Sequence, residues 1–192
     1  MFDNLAQTAQ SRTRQDYAEF NILKYSGMLG SYFWVGVDPC PTYARLLAIA
    51  VRHFGVDKIV ENLHITVTYA KSTTVPRRRI SDFLANCPEY LTSYKYKDVC
   101  ATYWRGNGEG YIVLTIESPE LDALHLELRG LGIHHEWPEY QPHITLVRGI
   151  GPPDLNVVRC IDAMNRYLLS CQLPGHNRNT GSLVISDIDV WN

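Results

Sequence analysis

Along this chain of 192 residues, short stretches of alternating apolar and polar positions exchange with longer ones in which apolar residues return every three or four places. The first period fits strands and the second fits helices. Ser31 to Val37 is aromatic and β-branched enough for a strand, which Asp38-Pro39 ends. Thr42 to Phe54 carries Leu46, Leu47, Ile49, Ala50 and Phe54 at helical spacing. Leu63 to Tyr69 alternates again as a strand, and a short helix is expected over Ile80 to Ala85. Tyr94 to Tyr103 and Tyr111 to Glu117 form a strand pair around the turn-rich Gly106-Asn107-Gly108. Pro119 suits a first helical turn, and Leu121, Leu124, Leu128 and Leu131 give that helix an apolar stripe. Ile144 to Val147 is a strand, and Leu155, Val158, Ile161 and Leu168 predict a helix between Asp154 and Leu169. Leu183 to Val190 closes the chain as one more strand.

Two of these strands open on nearly the same phrase. His64-Ile65-Thr66-Val67 and His143-Ile144-Thr145-Leu146 stand 79 residues apart. In each, alternation puts His and Thr on one face and two apolar residues on the other. Strand, helix, strand recurs in both halves, with the His phrase after the helix. The expected fold class is therefore α+β, a degenerate duplication giving two lobes about a shared cleft. Residues 1–26 are mostly polar and are expected to be an N-terminal extension, leaving 27–192 as a single bilobal domain.

A formal net charge of -2 provides no global positive field, so no long duplex nucleic acid is expected as partner. Local basic clusters such as Arg77-Arg78-Arg79 fit a solvated helix start. Five widely spaced cysteines without a CxxC favour reduced intracellular thiols. The N-terminus shows no apolar run of signal-peptide character, and no segment is long and apolar enough for a membrane span. A cytoplasmic protein without membrane partners is expected.

A histidine near its ordinary pKa takes a proton as the neutral ring and donates one as imidazolium. In-line phosphodiester cleavage needs both acts, on opposite sides of phosphorus. His64 and His143 can supply them, and Thr66 and Thr145 can donate hydrogen bonds to non-bridging phosphate oxygens. A metal site is disfavoured: His134 and His135 lie near His143 in sequence, but no compact Asp/Glu/His ligand set accompanies either phrase.

On these phrases, including Pro142 before His143, the sequence resembles the 2H phosphoesterase superfamily of LigT-like RNA 2′,3′-cyclic phosphodiesterases. The resemblance implies a bilobal 2H phosphoesterase-like fold with two pseudo-symmetric lobes around a central cleft. It also implies a site with no metal and no cofactor, with paired His and Thr side chains around phosphate. Gly30-Ser31-Tyr32 and Glu139-Tyr140-Gln141-Pro142-His143 further resemble phage anti-CBASS phosphodiesterases, which degrade the cyclic oligonucleotide signals of bacterial defence. That resemblance implies a cyclic di- or trinucleotide substrate and action in the host cytoplasm. RNA 2′,3′-cyclic ends, a short RNA-like phosphodiester, or ligand sequestration without cleavage are the alternatives.

Three aromatics complete the expected site. Tyr32 shares a strand face with Trp34 and Gly36, where it either stacks on a base or fills the core. Trp104 is either a stacking platform or a hairpin packing residue. Tyr140 either borders the second His or pins its loop. Lys95, Lys97 and Arg105, interleaved with Tyr94, Tyr96 and Trp104, suit a short oligonucleotide and equally a solvated sheet edge. The polar stretch 174–179 is either a closing loop or a connector.

Overall fold

A computed structural model describes residues 31–37, 41–70, 75–86, 94–106, 108–133, 139–171, 181–183 and 188–191. The chain runs β1 (Ser31–Gly36), α1 (Pro41–Phe54), a 3-10 turn (Val56–Lys58), β2 (His64–Ala70) and α2 (Arg77–Asn86). It continues through β3 (Tyr94–Gly106), β4 (Glu109–Glu117), α3 (Pro119–Gly130), β5 (His143–Ile150) and α4 (Leu155–Ser170). Two short strands, β6 (Gly181–Leu183) and β7 (Ile188–Trp191), complete it. The fold is α+β. Among the described residues, seven strands form a sheet in the order β6-β3-β4-β5-β2-β1-β7, with antiparallel pairing throughout.

The two phrases occupy neighbouring central strands, joined by the pair Ile65–Ile144. Each is flanked by the strand that precedes it through a helix: β1 beside β2, and β4 beside β5. The helices cross over this arrangement, with α1 packing on β5 and α3 on β2. Ile65, Val67, Ile144 and Leu146 are fully buried, as the alternation requires. Their burial beneath α1 and α3 fixes the register, because a one-residue slip would put His and Thr into the core.

Local chemistry sets the helix starts. Ser118 caps α3 by accepting from the Leu121 N–H at 3.4 Å, with Pro119 in the first turn. Asp154 caps α4 through the Val157 N–H at 2.9 Å. Gly108, at φ +82°, turns β3 into β4 in a conformation that favours glycine. Asn165 of α4 clamps β3 by accepting from the Ala101 N–H at 2.7 Å and donating to its carbonyl at 3.0 Å.

Three expectations change. The core stripe of α4 is Val157, Cys160, Met164 and Leu168, while Leu155 and Val158 are 63% and 48% exposed. Helical spacing allows both sets, and the angle at which α4 meets α1 and β3 selects the one carrying Cys and Met. The short helix expected from Ile80 begins at Arg77, so the arginine run lies inside it. Exposed Arg78 pairs there with Asp82, four residues on, at 3.8 Å. The single C-terminal strand is instead two, β6 on β3 and β7 on β1. Leu183 and Ile188 stand at most about 18 Å apart along five residues of chain. The outer strands of a flat seven-stranded sheet lie roughly 29 Å apart. The sheet is therefore not flat, and the pairing of β3 with β4 shifts register between Lys97 and Cys100. Cys100, Cys160 and Cys171 are free thiols, and burial pushes the Cys160 thiol up to about 11.

Candidate active site

Antiparallel counting outward from Ile65–Ile144 sets His64 toward Thr145 and Thr66 toward His143. The four residues form a quartet with local two-fold character, all half-buried on the face opposite the core. Partners directly across regular strands stand about 5 Å apart at Cβ, and diagonal ones about 7–8 Å. The two imidazoles lie on the diagonal, a separation at which one phosphate group fits between them. The row continues outward: Thr115 pairs with His143, Cys100 with Thr115, and Trp34 with Thr66.

Each imidazole is held in the same way. His64 Nδ1 lies 3.0 Å from the Asn62 carbonyl oxygen, and His143 Nδ1 lies 2.8 Å from that of Gln141. Each acceptor sits two residues before its histidine. A carbonyl only accepts, so both Nδ1 atoms carry hydrogen and the neutral rings present Nε2 as the basic nitrogen. The Gln141–His143 segment is itself fixed, since the Pro142 carbonyl accepts a hydrogen bond from the Ile116 N–H at 3.1 Å. Burial holds both histidines below the usual 6.5, partly offset by the carbonyl bonds. The positive charge of a protonated His64 lowers His143 further. Like charge therefore disfavours both rings being imidazolium at once.

Each histidine also carries a tryptophan. The Trp34 ring meets His64 edge-on, with centroids 5.5 Å apart and planes at 62°. The Trp104 ring lies 4.4 Å from His143 at 52°. Beyond Trp104 opens a groove of about 620 Å³. Its lining includes Cys100, Trp104 and Thr115 from β3 and β4, Glu117 and Asp122 where β4 passes into α3, and Tyr140 before β5. Tyr140 is stacked at 4.2 Å and 5° on His125, a residue only 4% exposed. His125 donates from Nδ1 to the Val67 carbonyl at 2.6 Å, so its hydrogen-bonded partner is β2, next to Thr66. Burial lowers the pKa of His125 as well, which keeps this link neutral.

The structure thus brings His64, Thr66, His143, Thr145 and Trp104 onto one surface, with Tyr140 in the groove wall and braced by His125. Tyr32 is placed by its backbone, opposite Tyr69 and Trp191; its side chain lies outside the described residues. The side chains of Lys95 and Lys97, and residues His134, His135 and 174–179, also lie outside the described residues. Sequence reasoning missed Trp34, Thr115 and His125. Trp34 stands two positions before Gly36, the register partner of His64, but nothing in sequence reveals that pairing.

Both His phrases fall inside the match to a family model described as anti-CBASS protein Acb1, over residues 39–165. An anti-CBASS protein Acb1 of Caulobacter sp. (strain RHG1) is 30% identical over 106 residues, 51% of this chain and 15% of that protein. The Acb1 of Enterobacteria phage T4 is 29% identical over 85 residues, 41% of this chain and 56% of that protein. The chain thus spans only part of the length of either relative. Kluyveromyces marxianus Usb1 covers 85% of this chain and 98% of its own, at a TM-score of 0.46 and 6% identity. A score that low does not establish a shared fold. The model match, which spans well over half of the chain and includes both histidine strands, shows that it belongs to the anti-CBASS protein Acb1 family.

Proposed function

We propose that this protein is a metal-independent 2H phosphodiesterase that cleaves the 3′,5′ bonds of cyclic di- or trinucleotide signals and so counters CBASS defence in the host cytoplasm. The observation that carries this reading is the matched pair of imidazoles. Both are tied through Nδ1 to the carbonyl two residues back, and each faces the other strand's threonine. The family name supports the defence context.

In the mechanism, one neutral histidine takes the proton of a ribose 2′-hydroxyl through Nε2. That oxygen attacks phosphorus as the bond to the 5′-oxygen breaks. The other histidine, as imidazolium, protonates the departing oxygen. The ring opens, leaving a 2′,3′-cyclic phosphate that activated water can hydrolyse with the roles reversed. Thr66 and Thr145 donate to the non-bridging oxygens, where charge builds in the transition state. Both proton transfers run through imidazole, and no step calls on a Lewis acid.

The domain scheme belongs to the same proposal: an extension over 1–26 and one bilobal 2H-like unit over 27–192. Its two pseudo-symmetric lobes would be β1-α1-β2 and β4-α3-β5, meeting at Ile65–Ile144. Incubating the purified protein in chelator with cyclic di- and trinucleotides, a 2′,3′-cyclic RNA end and linear RNA tests the whole. The expected outcome is linearised cyclic oligonucleotide, identified by chromatography. Cleavage of the RNA end alone would assign the protein to RNA-end processing, and binding without product would make it a sequestering module. Loss of turnover in chelator, with rescue by a divalent ion, would remove metal independence.

A further inference from the structure

We propose that His125 of α3 is a positioning residue for phosphodiester cleavage, one that holds Thr66 in place against His143. The inference rests on the phosphodiesterase reading and adds a buried residue on which the geometry of that site depends.

The buried face of α3 is Leu121, Leu124, His125 and Leu128. An imidazole among leucines costs desolvation that a fourth apolar side chain would avoid. It stands where the catalytic strands are least paired. Among the described residues, β2 and β5 meet in register only at Ile65–Ile144, whereas β4 pairs along β5 from His143 to Ile150. On its other side β2 carries an extra residue. Trp34 pairs with Thr66 and Phe33 with Thr68, which leaves Val67 without a partner on β1. A bulge of this kind interrupts the ladder and sets the direction of its neighbours, here Thr66. His125 donates from Nδ1 to the carbonyl of that same Val67 at 2.6 Å. Its ring also lies flat on Tyr140, with centroids 4.2 Å apart and planes at 5°. Tyr140 precedes Gln141, Pro142 and His143. One side chain thus ties the residue after Thr66 to the segment that leads into His143, beside the single ladder pair. Phenylalanine would stack without donating, and asparagine would donate without stacking; histidine does both.

The test follows kcat and KM of the full chain on cyclic di-AMP, cyclic di-GMP or cyclic GMP-AMP, whichever the wild type linearises fastest. His125→Phe keeps a ring and removes the donor. His125→Asn keeps a donor, since its amide nitrogen is as many bonds from the backbone as Nδ1. His125→Phe should lower kcat about tenfold with KM within about twofold, and His125→Asn should stay within about threefold of wild type. Added to Thr66→Val, the Phe change should cost about twofold or less; added to Thr145→Val, it should cost its full factor of about ten. Equal further losses in the two backgrounds overturn the proposal, because a merely structural role predicts them. Unchanged kcat in His125→Phe, a loss confined to KM, or an Asn variant as slow as the Phe variant overturns it as well. Rates are taken well below each melting midpoint, so that folded proteins are compared. If His125→Phe does not fold, His125→Leu, which also lacks a donor, replaces it; failure of both to fold makes His125 a core residue only and overturns the positioning role. Any of these results with an active wild type leaves the phosphodiesterase reading standing. A wild type that cleaves nothing ends that reading, and the positioning role with it.

Discussion

The two halves of the active surface agree in backbone and differ in surroundings. On the β2 side, His64 is tied to the Asn62 carbonyl and meets Trp34 edge-on. On the β5 side, His143 is tied to the Gln141 carbonyl, and its tryptophan, Trp104, opens onto a groove walled by Tyr140, Glu117 and Asp122. What repeats is what proton transfer at phosphorus needs: a fixed tautomer, a depressed pKa and a facing hydroxyl. What differs is what a ligand presents beyond its phosphate. Under the proposed function, chemistry belongs to the symmetric part and recognition to the asymmetric part.

The sharpest way to break that division is to remove each histidine. His64→Ala and His143→Ala should each lower kcat by about 10²–10⁴-fold. The double variant should fall little further, because the two act as one unit. Melting temperatures should stay close to wild type, and full activity in either single variant would falsify the paired mechanism. Thr66→Val and Thr145→Val come next, each reducing kcat by roughly 10²-fold with KM nearly constant, as expected for contacts that strengthen in the transition state. A loss confined to KM would make the threonines ground-state binders.

The recognition half is tested by Trp104→Ala against Trp34→Ala. Loss of a stacked base costs about 1–3 kcal/mol, so Trp104→Ala should raise KM by about 5- to 150-fold. Trp34→Ala should change it much less, and equal effects would show that both sides bind bases alike. The pH profile tests the half that repeats. Cleavage, followed as kcat/KM, fails in acid when the base histidine is protonated and fails in alkali when the acid histidine is not. Burial holds both below 6.5, so the optimum of the free enzyme should lie on the acid side of that value. An optimum above about pH 7.5 would contradict the buried pair. The same depression means that the folded chain binds fewer protons than the unfolded one as pH falls through 6.5. The unfolding midpoint should therefore drop in acid.

The smallest effect on activity is expected at Asn165. Its amide satisfies both backbone groups of buried Ala101, so Asn165→Ala should cost about 1–3 kcal/mol of stability with base preference intact. Denaturant unfolding beside the activity assay would show whether scaffold and site separate in this way.

Much of the local structure was legible in the chain. Period-two alternation told which face of β2 and β5 carries His and Thr, because burying Ile65 and Ile144 leaves no other register. Pro119 and Asp154 marked helix starts, because caps act within one turn. The stripe of α4 and the split of the C-terminal strand escaped, since both depend on partners distant in sequence. Trp34, Thr115 and His125 escaped for the same reason. Each lies on a different element, and only strand pairing and helix docking bring them to the histidines.

By itself, then, the sequence determined that His and Thr share one face of each of the two strands, because side-chain direction along a strand is a local property of the backbone. Only the tertiary structure decided that the two strands lie side by side at Ile65–Ile144, so that each histidine faces the other's threonine. Only it opened the groove beside one histidine, between residues that stand far apart in the sequence. Those relations come from the packing of α1 and α3 across the sheet, a long-range balance of burial that no short stretch of the chain encodes.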